Sequence, residues 1–205
     1  MSKKLNSVGV AVPDAWRRVA EQKKTMLGWP EWSVVPALAS GKRVRPSRAQ
    51  LRTAAAEITD AVVQLADENG VGLEGVRFRL KGWAFRRNED VTATLEVLRG
   101  SKFLAIARLD AWPCDPHMNA HKVRKTSGLK HLRPSIEGSH VHRFSDNAKY
   151  GIDGFGPGPE GNLPAAVEIL NELTSFRDFL RVVGVELNIR GLDEIQAPQS
   201  WQVIL

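Results

Sequence analysis

The stretch "VRFRLKGWAFRRNEDVTATLEVLRGSKFLAIARLDAW", residues 76–112, decides the fold. Val76, Phe78 and Leu80 alternate with Arg77, Arg79 and Lys81, and Val91, Ala93, Leu95 and Val97 alternate with Thr92, Thr94 and Glu96. In "FLAIARLDAW" (103–112) both faces begin apolar, then Arg108 and Asp110 appear on one of them. A period of two is the signature of a strand with one buried face. The connectors "RRNED" and "RGS" are too short for crossovers, so the three strands form an antiparallel meander.

Outward from this centre the period changes. Residues 14–27, "DAWRRVAEQKKTML", read as a helix capped by Asp14, and "GWPEWSVVP" breaks that pattern. "GKRVRPS" is a basic loop, and "SRAQLRTAAAEITDAVVQLADE" (47–68) has helical spacing at Leu51, Ala54, Ala55, Ile58, Val62 and Leu65. Downstream, a polar, basic stretch runs to Ser139, and "SHVHRF" reads as a fourth strand. After the glycine-rich "GIDGFGPGPEGN", Pro164 suits the first turn of a helix through "PAAVEILNELTSFRDFLRVV". "VELNIR" alternates again, and "SWQVIL" is a short final strand. The expected class is α+β, a central antiparallel sheet of about four or five strands with helices on one face. We expect one domain over 1–205: a mainly helical part (1–70), a sheet with a histidine cluster (75–150), and a C-terminal helix with short strands (164–205).

Hydrophobic residues make up 42% of the 205 and charged residues 25%, ordinary proportions for a globular chain. No segment approaches the ~20 apolar residues that span a bilayer, and the N-terminal stretch is a poor signal peptide. Cys114 is the single cysteine, so no intrachain disulfide forms, and a reducing cytoplasm is the expected setting. The net charge of +6 favours a polyanion partner, nucleic acid and RNA first, with a protein partner as a further expectation.

All five histidines (His117, His121, His131, His140 and His142) fall between positions 117 and 142. His140 and His142, two apart on a strand, point to one side. That is the side on which neighbouring strands carry Arg77, Arg79, Lys81, Thr94, Glu96, Arg108 and Asp110. Three readings of this face stand side by side. A histidine pair could serve as general base and acid on a phosphodiester, with arginines stabilising the phosphorane charge and no metal or cofactor needed. His117, His121, His140 and His142 with Asp110 or Asp115 also offer nitrogen and oxygen ligands for zinc, manganese or iron. The third reading is structural or plain binding. "HMNAHKVRKTSGLKHLR" suits a flexible loop that contacts nucleic acid, or a solvated one. Cys114 beside Asp115 and His117 raises a thiol nucleophile without any surrounding signature.

The order "ARLDAW", "PHMNAH", "GSHVHRF", "KYG" resembles a family of small uncharacterised bacterial and phage proteins whose strands carry R-x-D, H-x-N and H-x-H. The matching positions are Arg108, Asp110, His117, Asn119, Gly138, His140, His142, Arg143 and Tyr150, within about 45 residues. The resemblance implies that these positions act as a set and brings no activity. A helix followed by an antiparallel sheet is also similar to the barnase, colicin and RelE group of metal-independent ribonucleases, at the level of fold alone. The expectation is a metal-independent endoribonuclease, toxin-like or from a mobile-element conflict. His140 and His142 would be its acid–base pair, His117 and Asp110 would assist, and Arg108, Arg143, Tyr150, Asn119, Arg77, Arg79 and Lys81 would hold substrate. The alternatives are a non-catalytic protein acting on a nucleic-acid-processing partner, and a metal-dependent hydrolase or oxygenase.

Overall fold

A computed structural model of the chain describes residues 11–36, 57–156 and 162–202. Its centre is the meander the alternation requires: β3 (Gly72–Trp83), β4 (Val91–Arg99) and β5 (Lys102–Ala111), paired antiparallel. The sheet is larger than four or five strands. Eight strands lie in the order β10-β1-β2-β3-β4-β5-β8-β9. The additions are β1 (Lys24–Pro36), β2 (Glu57–Asp67), β8 (His140–His142), β9 (Val167–Glu168) and β10 (Ile189–Arg190). Only the β1–β10 pair is parallel. A second, two-stranded ladder joins β6 (His117–Met118) to β7 (Ser135–Ile136).

The structure corrects several expectations. Residues 57–67 form a strand rather than the end of a helix, and 47–56 lie outside the described residues. Ala61, Val63 and Leu65 fit period two as well as Ile58, Val62 and Leu65 fit the helix, and packing beside β3 decides in favour of the strand. The first helix, α1, spans only Asp14–Glu21, and the chain then turns into β1. Gly28 (φ +90°) sits where the β1–β2 register shifts between Leu27 and Glu31, so the turn-forming "GWP" makes a bulge instead of ending the strand. After the short helices α2 (His121–Lys125) and α3 (Phe144–Ala148), the C-terminal helix, α4, begins at Phe176 rather than at Pro164, and it runs to Leu187, through the first half of "VELNIR". Gln199–Trp201 is a 3-10 turn, and residues 203–205 lie outside the described residues.

The core lies on one face of the sheet. Phe78, Leu80, Ala93, Leu95 and Leu109 meet Trp16 of α1 and Phe176, Phe179, Leu180 and Val183 of α4, so the helices cover the apolar face as the alternation demands. Lys24 is fully buried, yet its ammonium donates to the carbonyls of Val19 (2.7 Å) and Gln22 (2.6 Å) at the end of α1, and burial lowers its pKa to about 8. Ser175 caps α4: its hydroxyl accepts from the Asp178 amide (3.1 Å) and donates to the Asp178 carboxylate (2.7 Å). Ser175→Ala is therefore expected to lower the unfolding free energy by ~1 kcal/mol, read as a shifted urea midpoint with unchanged slope. Among the described residues no helix is long and apolar enough to cross a membrane.

Candidate metal centre

β5 and β8 run antiparallel with Arg108 opposite His142, Leu109 opposite Val141 and Asp110 opposite His140. The period of two then does the sorting. Leu109 and Val141 go to the core, and the two histidines, Arg108 and Asp110 share the other face. The register extends this face as two cross-strand rows. One row is Lys81, Thr92, Asp110, His140 and Glu168; the other is Arg79, Thr94, Arg108 and His142. His117 reaches the same place from β6, held over the sheet by its pairing with Ile136.

The three imidazoles converge. Ring centroids are 5.1 Å apart for His117–His140, 4.7 Å for His117–His142 and 5.0 Å for His140–His142. One ring nitrogen from each lies within 4.8 Å of the others. Asp110 Oδ2 is 3.2 Å from His140 Nε2, 3.1 Å from His142 Nε2 and 2.8 Å from Arg108 Nε. Thr92 donates to its other oxygen at 2.9 Å.

Backbone carbonyls fix the tautomers, because a carbonyl only accepts. Nδ1 of His140 lies 2.9 Å from the Gly138 oxygen, and Nδ1 of His142 lies 2.6 Å from the Leu163 oxygen. Nδ1 of each ring therefore donates and each Nε2 faces Asp110; in the neutral form of the ring that Nε2 carries the lone pair. Nε2 of His117 lies 3.3 Å from the Pro164 oxygen, which leaves Nδ1 as its lone-pair atom. A metal-binding histidine is oriented in this way, one nitrogen donating to a fixed acceptor and the other free to ligate.

Two of those carbonyls belong to one strap, residues 163–166, and two buried asparagines grip it. Asn147 donates to the Ala165 oxygen (3.0 Å) and accepts from the Ala165 amide (2.9 Å). Asn119 makes the same pair of bonds to Ala166, at 3.0 and 2.8 Å. Each side-chain amide stands in for a neighbouring strand, so the strap is hydrogen-bonded without lying in a sheet. This is why the helix does not start at Pro164.

Burial sets the electrostatics. His142 is fully enclosed, and burial, with the Arg108 charge beside it, lowers its pKa to about 3. Burial and the neighbouring His140 lower that of His117 to about 4. Burial alone would raise the Asp110 carboxyl, but the Arg108 guanidinium beside it opposes burial, and the group is held well below the ordinary carboxylate range. At neutral pH the site therefore presents two neutral imidazoles and a carboxylate. Comparison of the chain with protein-family models, with curated proteins and with solved structures gave no match.

Arg108, Asp110, His117, His140 and His142, separated by up to 34 positions, come into direct contact or ring proximity. Asn119 lies behind them, 2% exposed, on the backbone of Arg133 and Ala166. The cations expected to hold substrate lie elsewhere or are already paired. Arg77 is paired with Glu96 (2.6 Å), and Arg79 grips Asp60 with two nitrogens. Lys81 stands opposite Asp60 and Thr92. Arg143 forks onto Glu186 of α4 at 2.8 and 2.6 Å, and those bonds raise its pKa. Tyr150 packs against a small apolar cluster of Val123, Leu129, Leu132 and Ala165, which gives the 119–134 excursion a core of its own. Cys114 is exposed near Glu89. Sequence reasoning missed Asn147, Thr92 and the carbonyls of Leu163 and Pro164. An H-x-H strand signals the ligands, whereas backbone acceptors leave no trace in residue type.

Proposed function

We propose that the protein is a metal-dependent hydrolase whose centre is a divalent transition ion held by His117, His140 and His142, with Asp110 as fourth ligand. One observation carries this reading: the Nε2 atoms of two carbonyl-locked imidazoles converge on one carboxylate oxygen, and as neutral rings they have no proton to place between. Nε2 of His140 and of His142 lie 3.2 and 3.1 Å from Asp110 Oδ2. Two acceptors at that distance repel unless a cation stands between them. Ligand atoms ~2.0 Å from a tetrahedral ion are about 3.3 Å apart, close to both distances. Such an ion, taking a fifth ligand beyond these four, would supply a bound water that ionises near neutrality. The chain supplies neutral ligands, a carboxylate to offset charge, and the strap that orients two of the rings.

The substrate class follows from charge. The net charge is +6, and the 121–133 segment presents Lys122, Lys125, Lys130 and Arg133 at the surface. A phosphodiester of nucleic acid, RNA first, is the proposed substrate. A metal-free ribonuclease is the second reading, because Arg108 Nη2 lies 2.8 Å from His142 Nε2 and can itself be the missing cation. Against it, both histidines lean on the same oxygen rather than flanking a space for phosphate, and a ring with a pKa near 3 holds no proton to donate at pH 7.

Calorimetric titration of chelator-treated protein with zinc tests the reading. One site per chain is expected, weakened on the order of 100-fold or more in His117→Ala and His140→Ala. Nucleic-acid hydrolysis should stop with EDTA and return with zinc or manganese. No binding of zinc, manganese or iron(II), together with RNA cleavage that ignores EDTA, would establish the metal-free reading instead. Binding of RNA with no cleavage under either condition would leave a non-catalytic binding protein.

A further inference from the structure

Arg108 does two things at once that a metal would separate. Its Nε donates to Asp110 Oδ2 at 2.8 Å, and its Nη2 donates to His142 Nε2 at 2.8 Å. The His142 lone pair is the one a metal needs, because the other nitrogen of that ring is committed to the Leu163 carbonyl. One lone pair cannot accept an N–H and ligate an ion. Asp110 Oδ2, in contrast, has a second lone pair and can keep the Nε bond while its first faces the ion.

Building on the metal reading above, we propose that Arg108 is a resident substitute cation that the metal displaces from His142, and that its freed Nη2 then binds the phosphoryl oxygen of the substrate. The geometry gives both halves. The guanidinium stays tethered to the site through Asp110, so the displaced donor remains within one side chain's reach of the ion. The side chain is 18% exposed, so an anion can meet it from solvent. A guanidinium presents parallel N–H groups that match the oxygens of a phosphate, one of which would sit on the metal. Among the described residues no other arginine of this face is placed for that role, since Arg77 and Arg79 are held by Glu96 and Asp60. The incoming ion adds positive charge beside the tethered guanidinium, and the substrate's anion offsets it.

The two halves predict opposite signs for one substitution. Arg108→Met removes the competing donor and the neighbouring positive charge, so zinc should bind roughly ten- to a hundredfold more tightly than to wild type, the span of a charge-assisted hydrogen bond. Inorganic phosphate added to the zinc-loaded variant should bind more weakly by a similar factor. Arg108→Lys keeps the charge but cannot bridge two partners, so it should lie between the two on both measures and serves if the methionine variant does not fold. A merely structural role for Arg108 would weaken zinc and phosphate together. Zinc affinity unchanged or lowered in Arg108→Met, or phosphate affinity unchanged, overturns the role of Arg108 while leaving the metal centre in place. Absence of zinc binding in wild type and variant alike overturns the centre itself and this inference with it.

Discussion

Chelator-treated protein is expected to lose roughly 6 kcal/mol of stability between pH 7 and pH 4. The cause is the histidine pair of lowered pKa. A free imidazole takes its proton near pH 6.5, whereas His117 in the fold does so near 4 and His142 near 3. Between these values the unfolded chain binds more protons than the folded one, so the unfolding free energy rises with pH across this window and falls as acid is added. Each pH unit below 6.5 costs about 1.4 kcal/mol per ring until the folded pKa is reached. Asp110 acts in the same direction lower down: its depressed pKa contributes stability that is present above the usual carboxylate value and lost as pH falls through the folded one. A domain of ordinary stability has about 5–15 kcal/mol in all, so the protein should be close to unfolding at pH 4. Urea midpoints measured from pH 7 down to pH 4 test this. A flat series would mean that the rings are already protonated in the fold and that the carbonyl-locked tautomers are wrong.

The asparagine grip on the strap should matter almost as much. Asn147 is fully buried and holds the Ala165 backbone by two bonds and the Arg143 carbonyl by a third, at 2.9 Å. Asn147→Leu is nearly isosteric and leaves these backbone groups without partners. A loss of about 3 kcal/mol or more is expected, since each buried unsatisfied group costs about 1–3 kcal/mol. The strap also carries the carbonyls that orient His117 and His142, so zinc should weaken by about 10- to 100-fold although Asn147 is no ligand. Thermal unfolding and zinc calorimetry on the variant separate the two effects. Intact stability with unchanged zinc affinity would mean that the loop before the strap, not the grip, fixes the rings.

Local alternation made the centre of the fold legible. The meander, the polar face and the shared side of His140 and His142 all follow from period two, and the register adds only which residues are opposite. The same rule bears on Arg143. Next to His142, it belongs on the opposite side, where Glu186 meets it. A strand of two residues such as β9 holds no full period and could not be seen, and of the alternating "VELNIR" only the last pair, Ile189–Arg190, is a strand. β2 fitted both periods until its neighbours chose. His117 lies 23 positions from His140, and nothing between them announces that the β6–β7 ladder folds one over the other.

The sheet's outer strands bear on how this chain behaves beside copies of itself. An exposed, regular strand edge is a template on which another chain can add. Here β9 and β10, the outermost strands, are two residues long. β1 continues past β10 with a bulge, and Pro30 and Pro36 remove two donors along it. Two flat, unpaired rows that would otherwise nucleate fibrils are thereby cut short, and restoring a regular β-branched run in place of "GWP" is the change that would reopen one of them.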